Sequence, residues 1–235
     1  MIKRIVSYFI ENKWKYRLRG NHIRVSLNSV FEVGEGCKLL NNSVIVEKDS
    51  SLRIGHNVII ENCNLYVVGN VSIGDYTIIK DGVYTIDSGM LNVGHHSKLT
   101  AKRFWIRFEG VVNIGDYTNI NGGSEVRCDE AITIGNYNQI SFNVNIWDTN
   151  THNIYPVAKR RDITEKYWPY FGREIDRPKT KPIYIGDDCW IGENSTILKG
   201  TTLNNEVIVG YGTTLIGQSI DNGKTVVSSS NIRIL

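Results

Sequence analysis

The feature that most constrains this chain is a six-residue beat of aliphatic side chains. Ile185, Ile191, Ile197, Leu203, Val209 and Leu215 follow one another at that spacing without a slip. The same spacing gives Ile114, Ile120 and Val126, then Ile134, Ile140 and Ile146, and less perfectly Val33, Leu39, Ile45 and Ile54, Ile60, Tyr66. A helix would repeat its apolar residues at three and four, and a half-buried strand at two. A period of six satisfies neither. It fits a chain that turns one corner every six residues, sends one aliphatic inward per short strand and returns after three strands.

A longer repeat lies over the short one, as repeat architectures require. Aliphatic-glycine pairs recur at Val33-Gly34, Ile54-Gly55, Ile73-Gly74, Val93-Gly94, Ile114-Gly115, Ile134-Gly135 and Ile185-Gly186, in steps of 21, 19, 20, 21, 20 and 51. Three sixes with one to three residues left for a corner account for every step but the last, and eight coils result. The fourth residue after each aliphatic is usually small or β-branched (Cys37, Ser43, Thr77, Ser97, Thr118, Ser124, Ser195, Thr201, Thr213), as a tight corner requires. The glycines, followed by Asp or Asn at Asp75, Asp116, Asn136 and Asp187, are expected to supply backbone freedom at the turn. An ordinary β-sandwich has no reason to keep a strict six. The pattern by itself indicates an all-β, three-sided solenoid with a narrow core.

The segment "IGDDCWIGENSTILKG" (185–200) makes the chain from about residue 30 onward resemble the hexapeptide-repeat acyltransferases, and among them the sugar O-acetyltransferases. The resemblance implies a left-handed parallel β-helix, a hand that goes against the usual crossover preference and is taken from the resemblance alone. It divides the chain into an N-terminal segment, residues 1–28, and a β-helix domain, residues 29–235.

The beat breaks once. From Ile146 to Ile185 the chain runs 39 positions where six would suffice, so a loop is extruded at about 147–183. Long excursions from compact ladders are usually functional. Near its start stands His152 in "DTNTHNIYP", where an inward aliphatic would otherwise fall. In the family that this chain resembles, a histidine at the base of such a loop is the catalytic base. Imidazole titrates near neutrality and suits removal of a hydroxyl proton during attack on a thioester. Asp148 or Asn150 is placed to orient the ring, and no serine or cysteine beside a histidine offers a nucleophile. The alternative is a loop histidine that only makes hydrogen bonds.

The resemblance also assigns the two substrates. Asn121, Asp129 and Asn150 would face a sugar acceptor, although Asn and Asp are natural corner residues of any solenoid. The co-substrate would be acetyl-CoA, its arm approaching Gly192, Gly210 and Gly212, with Trp190 near the reacting centre or else packed at a subunit contact. Arg233 stands roughly where relatives meet the nucleotide phosphates, though the Gly-Asn-Pro that precedes that cation in them is missing from "VVSSSNIRIL". A groove between prisms implies a homotrimer.

Charge separates the two regions. The whole chain has 27 Lys plus Arg against 24 Asp plus Glu, which makes no case for nucleic acid, yet residues 1–24 hold seven of the cations and one acid. Ile2, Ile5, Val6, Phe9, Ile10 and Trp14 follow helical spacing among them. Residues 1–18 therefore either cap the first coil or lie on an anionic membrane surface from the cytoplasmic side. Four scattered cysteines suit a reducing cytosol and neither a disulfide framework nor zinc, and His22, His56, His95 and His96 are too far from His152 in sequence to form a three-histidine metal site. The function expected is acetyl-CoA-dependent O-acetylation of a sugar hydroxyl in surface-polysaccharide synthesis. The alternatives are N-acetylation of an amino-sugar nucleotide and a non-catalytic scaffold.

Overall fold

The structure is a computed structural model in which residues 20–169 and 174–229 are described. Short parallel strands stack into a three-sided prism. The first side runs from strand His22–Val25 to strand Thr214–Ile216, the second from Val30–Val33 to Ser219–Ile220, and the third from Lys38–Leu40 to Thr225–Val226. The third side holds nine stacked strands, so the solenoid is longer than the eight coils expected from the glycine pairs. Two strands, Asn64–Ile73 and Val83–Val93, bend around a corner and join the first side to the second, with an irregular register at Val68/Gly69.

The six-residue beat becomes three inward columns. Ile114, Ile134, Ile185 and Leu203 stack along the second side, Ile120, Ile140, Ile191 and Val209 along the third, and Val126, Ile146, Ile197 and Leu215 along the first. All twelve are buried, and full burial of one such side chain contributes about 1.5–3 kcal/mol. Parallel pairing exposes each strand's neighbours only at the two ends of the stack, so the ladder hydrogen bonds are satisfied coil upon coil.

The glycines after the aliphatics serve a different purpose from the one expected. Those at 34, 55, 74, 94, 115, 135 and 186 do not lie in the left-handed region. A Cβ on Gly74 would sit 2.6 Å from the Gly94 carbonyl carbon, and one on Gly115 would sit 2.7 Å from Gly135. They permit close approach of neighbouring coils. The left-handed residue comes two positions later, at Tyr76, His96, Tyr117, Tyr137 and Asp188.

The Asx and hydroxyl residues at the same corner stitch one coil to the next. Asp116 Oδ1 accepts from the His95 N–H, Asn136 Oδ1 from Asp116, and Asp187 Oδ1 from Asn136, at 2.7–2.9 Å. Inside the corner, the Thr77, Ser97 and Thr118 hydroxyls donate to the carbonyls of Gly94, Gly115 and Gly135. All four cysteines are free and buried.

Candidate active site

The extruded loop leaves the prism between strand Asn145–Trp147 on the first side and strand Ile183–Ile185 on the second. Its two stems close on themselves. Thr149 pairs with Thr180 in an antiparallel bridge, the Asn150 N–H donates to the Lys179 carbonyl at 3.0 Å, and Lys181 N–H donates to the Asp148 carbonyl at 2.9 Å. Beyond the stems lies helix α1, Val157–Lys166, which buries none of its residues.

At the top of the first stem Thr151 adopts φ +66°, a left-handed conformation that β-branched residues rarely take. Four contacts hold it there. Its N–H donates to Thr149 Oγ1 at 3.0 Å, its carbonyl accepts from Arg107 Nη2 at 3.2 Å, its Oγ1 accepts from Arg127 Nη1 at 3.4 Å, and the next residue's N–H returns to the Asn150 carbonyl at 2.7 Å. That turn aims His152 outward. The imidazole is 57% exposed, and Glu174, whose side chain is 6% exposed, meets Nδ1 at 2.9 Å through Oε1. The other oxygen, Oε2, accepts from the Asn153 backbone N–H at 3.2 Å and from Asn153 Nδ2 at 2.9 Å.

A carboxylate can only accept, so in the neutral ring it selects the tautomer with the hydrogen at Nδ1 and the lone pair at Nε2. Nε2 has no hydrogen-bond partner among the described residues. The ring lines a cavity of about 290 Å³, together with Asn150, Asn153, Ile154, Tyr155 and Lys179. The arrangement can take a proton from a group placed in that cavity and hand it on.

Orientation of the ring thus belongs to Glu174 and not to Asp148. Asp148 is fully buried and turned into the prism, where Oδ1 accepts from the Asp129 N–H and Oδ2 from the Glu130 and Ala131 N–H groups, each at 2.8 Å. Burial pushes its carboxyl above the usual aspartate value, against those three donors. Cys128 Sγ lies 3.3 Å from Asp148 Oδ2, and burial with the adjacent carboxylate raises its thiol far above the ordinary range. It is not a poised nucleophile.

Asp129 is also withdrawn from any acceptor. It is 1% exposed, takes a bidentate ion pair from Arg107 at 2.9 and 2.7 Å, and accepts from Thr149 Oγ1 at 2.6 Å. Its charge is spent on fixing the stem below His152. Asn121 stands at the corner between the third and first sides, with its N–H on the Ile140 carbonyl, away from the corner where the loop leaves. Asn150 does line the cavity.

The donor-side residues lie elsewhere on the prism. Trp190 projects 54% exposed from the third side, with Nε1 3.4 Å from Ser141 Oγ. Gly192 is required by packing, since a Cβ would meet the Val209 oxygen at 2.7 Å; at Gly210 the close contact, 2.6 Å, is only with Cγ1 of exposed Val227, and Gly212, at φ +63°, has open space around it. Arg233 and residues 1–18 lie outside the described residues.

Sequence reasoning missed Glu174, Arg107, Arg127 and Thr151. Glu174 sits in an aperiodic stretch 22 residues beyond its histidine, and no spacing rule reaches it. Arg107 carried a weak signal as a cation at a coil corner, where small polar residues are the norm, and Arg127 lies within strand Glu125–Cys128, where nothing in the period marked it.

Residues 182–217 match the family described as bacterial transferase hexapeptide (six repeats). Fold, repeat and this match make the chain similar to the bacterial hexapeptide-repeat transferases. The chain is 27% identical over 159 residues to the putative lipopolysaccharide biosynthesis O-acetyl transferase WbbJ of Escherichia coli (strain K12), covering 67% of this chain and 77% of that protein. Two crystal structures also align with it. The polySia-specific acetyltransferase NeuO does so at 20% identity and a TM-score of 0.49 over 89% of this chain and 80% of that one. The polysialic acid O-acetyltransferase OatWY does so at 22% and 0.43 over 90% and 83%. Among the described residues no helix is long and apolar enough to cross a membrane, and no group of three or more His, Cys, Asp or Glu side chains converges as metal ligands.

Proposed function

We propose that this protein is an acetyl-CoA-dependent O-acetyltransferase that acetylates a sugar hydroxyl in surface-polysaccharide synthesis. The observation that carries the reading is His152, its Nδ1 engaged by buried Glu174 and its half-exposed ring lining the cavity. In this scheme Nε2 removes the proton of the acceptor hydroxyl as the oxygen attacks the thioester carbonyl carbon. Collapse of the tetrahedral adduct expels the thiolate of CoA, which takes the proton back from the imidazolium. Products are an acetyl ester and free CoA, with no acyl-enzyme. The buried thiols support direct transfer, since burial raises Cys63 to about 11 and raises Cys128 and Cys189 as well.

Glu174 stabilises the imidazolium that forms during attack, while the Arg107–Asp129–Thr149 network keeps the loop stem in register. Trp190 and the open space at Gly212 are the donor-side candidates. They stand on a different side of the prism from His152, which favours a homotrimer whose sites form between neighbours. The relative named for lipopolysaccharide O-acetylation supports a glycan acceptor, and a cytoplasmic site of action is part of the same proposal. His152→Ala decides the matter. Acetyl transfer from acetyl-CoA to glycan acceptors should disappear while the protein stays folded, with a stability loss of about 1–3 kcal/mol for the buried Glu174 oxygen left unpaired. Unchanged turnover would remove the histidine from the chemistry.

A further inference from the structure

Three lysines lie around Asn150, which lines the cavity with His152: Lys179 and Lys181 on the returning stem and Lys199 on the adjoining coil. Lys179 lines the cavity and receives the Asn150 N–H on its carbonyl. Lys199, half-buried on the first side, donates its ammonium to Asn150 Oδ1. Lys181 accepts the Gly200 N–H at 3.0 Å and lays its stem over that glycine, where a Cβ would come within 2.5 Å of Lys181 Cδ. None of the three makes an ion pair among the described residues.

The carboxylates nearby are already engaged. Glu174 is held by His152 and Asn153, and Asp176 by the Tyr155 hydroxyl at 3.0 Å and Lys159 at 3.4 Å. Glu130 accepts from Thr180 and faces Arg177 at 3.9 Å, while Asp148 is turned into the prism. Like charges gathered with no counter-charge raise the energy of the unliganded site, and an anion relieves it.

We propose that Lys179, Lys181 and Lys199 form an anion subsite for the acceptor, so that the substrate is an acidic glycan whose carboxylate or phosphodiester lies beside the hydroxyl to be acetylated. This rests on the acetyltransferase reading above. The phosphates of CoA are poorly suited to fill the subsite, because the whole pantetheine arm separates them from a thioester that must lie at His152 Nε2. Exposed Ile154 and the Tyr155 ring, on the same cavity, give the apolar face of a sugar ring something to cover.

The test is calorimetric binding to the full chain in the absence of acetyl-CoA, with oligogalacturonate, its carboxyl-reduced neutral form and a glycerol-phosphate oligomer as probes. One of the two acidic probes should bind roughly tenfold or more tightly than the neutral form, and raising salt should weaken it. Which acid wins identifies the anion. The triple variant Lys179→Gln, Lys181→Gln, Lys199→Gln should erase the preference. Equal affinity for acidic and neutral probes, or a preference that survives in the triple variant, overturns the proposal. So does a variant that raises KM for acetyl-CoA while leaving acceptor affinity unchanged. Failure of every acceptor to become acetylated would instead refute the transferase reading, and the binding data would still decide the subsite.

Discussion

Replacing Glu174 by glutamine changes one atom and tests the central geometry. The carboxylate accepts from three donors, His152 Nδ1 through Oε1 and both Asn153 N–H groups through Oε2. Glutamine has only one oxygen. If that oxygen turns to Asn153 it satisfies two donors, and the amide NH2 then faces Nδ1 and requires the ring proton at Nε2. If it turns to His152, the NH2 meets two N–H groups at hydrogen-bond distance. The first orientation loses less, so the variant holds the wrong tautomer, with its proton on the atom that should accept one. Conversion of a positioning carboxylate to an amide in a buried catalytic triad lowers kcat about 10⁴-fold. His152 is half exposed and can exchange tautomers through solvent, so we expect about 10²- to 10³-fold here, or about 2.7–4 kcal/mol in the barrier. The assay is acetyl transfer to the acceptor with both KM values measured, and nitrogen NMR of the labelled ring reports the tautomer independently of turnover. KM for acetyl-CoA should change little. A kcat within about threefold of wild type, or a ring that keeps its proton at Nδ1, would refute the reasoning.

Two further outcomes follow from the loop's foundation. Arg107→Ala leaves the Asp129 carboxylate buried with only the Thr149 hydroxyl and strips a donor from the Thr151 carbonyl, so urea unfolding should show a loss of about 3–5 kcal/mol together with slower transfer, and a loss below about 1 kcal/mol would contradict the pairing. For Glu125, burial by itself would raise the carboxyl, but hydrogen bonds and charge from Arg127 and Arg103 outweigh it and hold the group below the usual range. The contribution is therefore fully present above the unfolded glutamate value of about 4.3 and is lost as pH falls through the lower folded value. Glu125→Gln should flatten the acid limb of stability against pH relative to wild type, and superimposable acid limbs would show that the arginines do not act on it.

The sequence carried the prism because a solenoid is a local rule applied repeatedly. Each six-residue step needs one inward aliphatic and one tight corner, and each coil meets only its neighbours, so Ile185 to Leu215 specify their part of the core without reference to distant residues. The breaks in that rule were equally plain, which is why the loop's bounds and the catalytic candidate His152 could be read in advance. The glycine pairs were legible as a pattern but not as a mechanism. Close coil approach and a left-handed backbone both select glycine, and only coordinates show that the second falls on Tyr76, His96, Tyr117 and Tyr137 instead.

What only the tertiary structure decided is where each polar side chain points. Asp148 and Asp129 stand near His152 in sequence or by family pattern, yet both face inward to fix backbone and an arginine, because the stem turn needs acceptors there. Glu174 reaches the imidazole from the far stem through a loop with no period, where partners are chosen by how the chain returns to Thr180. Periodicity encodes which residues are buried, since burial depends on the nearest rungs. It carries no information about contacts across an aperiodic excursion, and those contacts set the chemistry of this site.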